Sequence, residues 1–222
     1  MTRPDPRTTL RDAGARPAPT PGPPTRETGR TALRAVAIVL VTSLLVGGLT
    51  SPAQGFLPDP VRPFANSAGG WSMLAFLAVW ASGARPPLGA LLGAVSFVSM
   101  VEAYGVVSLW RGYFLADPLS SMWIPIGLVA GPVIGLAAAL VRHAGRSWVV
   151  VGTAVLSLVL AAEGAYGLLL LQGTTGATYW ILEIVLAAAF LAAAVLRGRG
   201  TAPRAGTPTA TGTPTATARG RS

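Results

Sequence analysis

The chain has 222 residues, of which 51% are hydrophobic and only 11% charged, and its mean hydropathy is +0.56. A soluble domain carries about a quarter charged residues, so this composition argues against one. The formal charge of +9 comes from seventeen basic residues, all arginine; many lie in the two tails and none forms a basic cluster interleaved with aromatics, which argues against nucleic acid as a partner.

Residues 1–29 are rich in Pro, Thr and Arg and show no apolar periodicity. They read as a disordered tail. Six apolar stretches follow, at about 32–50, 67–84, 87–110, 120–141, 147–172 and 177–196. Each is near the ~20 residues that a tilted transmembrane helix needs. The second is the weakest, because "ANSAGG" must supply its first turn, with Asn66 or Ser67 as cap. Residues 200–222 repeat "GTPTAT" at 206–211 and 212–217 and read as a second flexible tail. The sequence therefore predicts an all-α fold: a six-transmembrane-helix bundle over 30–199, with disordered N- and C-terminal tails. The lipid bilayer is its expected partner.

"TSPA" at 50–53 resembles a small-residue cleavage site, which would make the first span a signal peptide. About thirty residues precede the span, longer than a usual n-region, so a retained helix is the expectation. The arginines then set orientation. With the N-terminus in the cytoplasm, the inner side receives Arg30, Arg34, Arg85, Arg142, Arg146, Arg197 and Arg199. The outer loops receive Arg62 and Arg111, with Asp59 and Asp117 nearby. This is the positive-inside pattern of a cytoplasmic membrane protein with both termini inside. Trp71, Trp123 and Trp180 fall at the outer interface.

Three of the eight acids, Glu102, Glu163 and Glu183, fall inside apolar stretches. At about 1.5 Å per residue, each lies roughly 5–6 Å outward of its helix centre. A charged side chain at that depth is costly unless paired or wet, so each is expected to face the bundle interior. If they converge they line an outward-facing pocket, with Tyr166 one turn from Glu163 and Trp180 at the mouth as further ligand-binding candidates. Acidic and aromatic lining favours a cationic ligand. Replacing each Glu by Gln should then leave folding nearly intact and weaken binding. The bland alternative makes each Glu packing glue between helices.

"GLVAGPVIG" places Gly127, Gly131 and Gly135 at four-residue spacing, and "GALLG" does the same for Gly89 and Gly93. Such stripes let helices approach closely. They support the alternative function, a structural or interaction membrane protein that self-associates or joins a membrane complex without a ligand. The first outer loop, "SPAQGFLPDPVRPFANSAGG", carries Phe56, Leu57, Val61 and Phe64 as residues to lay it over the bundle. His143, in "RHAGRS", reads as a solvated loop residue. One histidine and no cysteine leave no metal site. No motif for a nucleophile, a P-loop or a dinucleotide is present, so no enzyme and no cofactor are expected.

"PFANSAGGW", "GVVSLWRG", "AGPVIG" and "AAEGAYG" together resemble a family of uncharacterised actinobacterial multipass membrane proteins, a domain of unknown function, over about residues 35–195. The resemblance implies membrane location and no activity. The six helices, the capping first loop and "GPVIG" are also similar to the substrate-binding subunits of energy-coupling-factor vitamin transporters. The first span departs from that pattern, with Ala32, Ala35 and Ala37 in place of an Ala-x-x-x-Ala stripe, and in that family the glycine stripe usually lies in an earlier helix.

Overall fold

The structure is a computed structural model that describes residues 28–171, 173 and 175–199. Both predicted disordered tails lie outside these residues, save for the start of the first helix. Among the described residues the protein is all helical. Six α-helices follow in order: α1 Gly29–Phe56, α2 Ala68–Ser82, α3 Pro86–Trp110, α4 Trp123–His143, α5 Arg146–Leu170 and α6 Ala177–Arg199. A 3-10 turn, Arg62–Asn66, leads into α2. Five of the six are long and apolar enough to cross a membrane; α2 is shorter. Lipid permits little else, because every backbone N–H and C=O there must be satisfied within the chain.

The short helix sits in the middle. α2 packs on α1, α3, α4 and α5, while α6 rests chiefly on α5. Its Ala75, Phe76 and Val79 are buried and join a core with Val39 of α1, Leu92 and Met100 of α3, Ile134 of α4 and Leu160 of α5. Large apolar side chains point outward, such as Leu44, Leu91, Val129 and Leu158. In lipid that outer face is the solvated one.

The glycine stripes pack on one another inside the chain. A Cβ placed on Gly131 would lie 2.7 Å from the Ala94 Cα and the Gly93 carbonyl oxygen, and one on Gly93 would strike the backbone of Gly131. Gly127 faces Phe97, and Gly135 faces Gly89 and Gly93. The stripes of α3 and α4 are thus occupied by each other, and self-association would have to use another face.

Two segments near the end of α1 differ from the sequence reading. α1 runs on through "SPAQGF", six residues beyond the predicted span, with Pro52 inside it. Pro52 cannot donate to the Gly48 carbonyl one turn back; separately, Arg111 at the end of α3 donates to both the carbonyl and the Oγ of Ser51 (2.9 Å to Oγ). A cation near a helix C-terminus complements the dipole. Of the residues expected to lay the first loop down, Phe56 is 84% exposed, whereas Leu57 and Phe64 are half-buried.

Candidate functional site

Fifteen residues make α2 about 22 Å long, shorter than the ~30 Å hydrocarbon core. Its ends therefore need partners from the protein rather than from water. At the C-terminal end the partners come from the last turn of α4. Arg142 donates from Nη1 to the Trp80 carbonyl at 2.8 Å, and its guanidinium lies 5.4 Å from the centre of the Trp80 ring. His143 donates from Nε2 to the Gly83 carbonyl at 2.9 Å. His143 is thus exposed but engaged, where the sequence predicted a merely solvated residue. Gly83 closes the helix at φ 72°, a left-handed conformation that suits glycine. Arg142→Met should cost about 1 kcal/mol, a typical hydrogen bond, seen as a lower thermal unfolding midpoint in detergent.

At the N-terminal end the partner is Glu163, the acid isolated in the apolar run of α5. The Ala68 N–H donates to Glu163 Oε1 at 2.9 Å, and the Gly69 N–H donates to Oε2. Ser67, the N-cap, accepts from the Gly70 N–H at 2.8 Å. Three orphan donors are satisfied, and the positive end of the helix dipole faces a carboxyl group. Glu163 is at once a cap supplied from another helix and a lining group.

A second acid joins it. Glu183 of α6 is 2% exposed, and its Oε1 accepts from the Tyr179 hydroxyl at 2.8 Å. That hydroxyl lies 2.5 Å from Ser67 Oγ. Tyr179 has one proton and gives it to Glu183, so Ser67 donates to Tyr179. The order of the chain is Gly70 N–H, Ser67, Tyr179, Glu183. Gly69 makes room for it: a Cβ there would meet Glu183 Oε1 at 2.5 Å and Glu163 Oε2 at 2.7 Å. Both carboxyl groups thus border one point, about 5 Å or less apart, where like charges interact strongly.

Glu163 also lines a cavity of about 740 Å³, with Gln54, Asp59, Arg62, Asn66, Ser67, Thr175 and Trp180. Asp59 and Arg62 form a salt bridge at 2.7 Å on its wall. Glu183 instead borders a separate apolar cavity of about 280 Å³, with Leu57, Phe64, Met73 and Leu186.

Of the other predicted site residues, Glu102 and Tyr166 lie elsewhere. Glu102 is half-buried on α3 and accepts from the Leu119 N–H at 3.1 Å. It lines a different cavity of about 440 Å³ with Asp117 and Trp123. Leu119 has φ 61°, which is strained for a leucine, and this hydrogen bond helps hold it. Tyr166 is 53% exposed, and it lines none of the cavities that hold the three acids. Trp180, buried against Gly167 and with no partner for its Nε1, shares the cavity of Glu163. Two of the three acids therefore meet, and the third pins the loop between α3 and α4.

One family profile spans residues 26–220 and so takes in all six helices. The chain belongs to the Family of unknown function (DUF6518). No curated protein and no solved structure matches it.

Within this DUF6518 chain, sequence reasoning passed over Tyr179 and Gly69. A signal existed for Tyr179, which precedes Glu183 by one helical turn and so shares its face. Gly69 carried none, because its role depends on two acids from distant helices.

Proposed function

We propose that this membrane protein binds a small organic cation in its outer cavity, as a step in uptake or sensing. One observation carries the reading: Glu163 lines a cavity of about 740 Å³ whose other acid, Asp59, is already paired with Arg62. The volume falls within the usual range for small-molecule sites, about 300–1,000 Å³. Each Glu163 oxygen spends one lone pair on α2 and keeps another. Trp180 supplies an aromatic wall and Gln54 and Asn66 supply amides. A first loop over an outer cavity is also what the likeness to energy-coupling-factor substrate-binding subunits implies.

The reading places the chain in the cytoplasmic membrane with both termini inside and this cavity outside, on the strength of the arginine asymmetry. The chain contains no cysteine, so Ala144→Cys provides a single label site between α4 and α5. An impermeant thiol reagent applied to intact cells should leave it unlabelled. Labelling from outside would reverse the topology.

Tetramethylammonium serves as the probe for the cavity. Titrated into the purified chain, it should change tryptophan fluorescence saturably, whereas neopentanol, an uncharged molecule of similar shape, should not. Glu163→Gln should abolish the change under conditions where the variant is folded. A second reading, in which Glu163 is structural only, is favoured by its double hydrogen bond to α2. That reading takes over if no tetramethylammonium signal is seen, or if Glu163→Gln retains it.

A further inference from the structure

Glu183 carries an observation that the outer cavity does not explain. It is 2% exposed, and its Oε2 has no hydrogen-bond partner. A buried carboxyl oxygen left without a donor is costly. The charges around it do not balance either. Two carboxyl groups border Gly69, while the N-terminus of α2 offers only about half a positive charge. The groups facing the pair are few. From α1 there is Gln54, which is neutral; from the first loop, Asp59 and Arg62, which neutralise each other. From α2 there are backbone N–H groups and Ser67, and from α6 Tyr179 and Trp180, all uncharged. Among the described residues no ion pair reaches Glu163 or Glu183.

We propose that Glu163 and Glu183 bind one monovalent inorganic cation, a proton or a sodium ion, beside the N-terminus of α2, with Glu183 Oε2 as its principal seat. The Tyr179 hydroxyl holds the other oxygen of the same carboxyl group, Oε1, and Ser67 Oγ lies behind it as the next oxygen of the chain. Glu163 belongs to both this site and the outer cavity, so it connects the ion to the outside. One added positive charge brings the cluster close to neutrality, as burial at this depth demands. The arrangement deepens the cation-binding reading by giving it a coupling ion, but its test uses no organic ligand and stands or falls separately.

The full chain, purified in detergent, is unfolded thermally and followed by tryptophan fluorescence. One series varies pH at fixed salt. The other varies NaCl at fixed pH, with CsCl holding ionic strength constant. The unfolding midpoint should rise saturably with proton activity or with sodium, and whichever acts is the ion. Glu183→Gln should abolish that dependence. Tyr179→Phe should keep it but displace half-saturation about tenfold, the effect of losing one hydrogen bond to a charged group. A midpoint flat in both series overturns the proposal, even where the tetramethylammonium response survives. So does a Glu183→Gln protein that responds like the wild type. Should Glu183→Gln fail to fold, an unshifted half-saturation in Tyr179→Phe overturns it equally.

Discussion

Gly131→Leu should leave little folded protein in detergent. The glycine meets backbone, not side chain, on the facing helix: the Ala94 Cα and N and the Gly93 carbonyl all lie 2.7 Å from where a Cβ would sit. A rotamer change cannot relieve that contact, so α3 and α4 must separate. Their separation would open the contact on which the rest of the bundle leans, since α2 packs against both. The loss should be on the order of 4 kcal/mol or more, the range of severe core disruption. Val129→Leu is the control, because Val129 lies on the same helix and is 76% exposed. Thermal unfolding should show the control close to wild type and Gly131→Leu far below it. A wild-type midpoint for Gly131→Leu would mean that the stripes do not carry the α3–α4 contact.

Glu163→Gln should destabilise the protein by about 1.5–3 kcal/mol, the worth of hydrogen bonds to a charged group. The reason is geometric. Both oxygens of Glu163 accept from N–H groups of α2, and an amide offers only one acceptor. Its NH₂ would face another donor, and the helix would lose the charge at its positive end. Glu183→Gln should behave differently. Only one Glu183 oxygen is engaged, so the amide oxygen can keep the Tyr179 hydrogen bond while the NH₂ takes the unpartnered place. That variant should lie within about 1 kcal/mol of wild type. The ordering of the two midpoints is the measurement. Equal loss at both positions would contradict the capping geometry. The sequence reading expected Gln to be nearly silent for folding at each acid, and for Glu163 the structure removes that expectation.

The two substitutions also mark where sequence reasoning stops. Glu102, Glu163 and Glu183 look alike in the sequence: single acids in apolar runs, at similar counted depth. Two of them meet across α2, and the other secures Leu119. Nothing local to Glu102 distinguishes it. What differs is the rotation of α3 relative to its neighbours, which is set by the fit of Gly89 and Gly93 against α4. The same holds for Arg142, which reads as an ordinary interfacial anchor and serves as the clasp on the end of α2. Arg111 likewise fastens the end of α1 at Ser51 from sixty residues away.

The sequence by itself determined the all-helical architecture, the number of helices, most of their bounds and the uneven placement of arginine. These follow from local rules. A segment in lipid must satisfy its backbone within itself, so length and hydropathy suffice to find it. Depth along a helix is equally local, since it is a residue count times a fixed rise. Only the tertiary structure decided which acids converge, which glycines touch, and that the weakest span would become a short central helix capped at both ends by its neighbours. Those features depend on how each helix turns about its own axis. That rotation is settled by packing between segments far apart in the chain, and no stretch of residues read alone contains it.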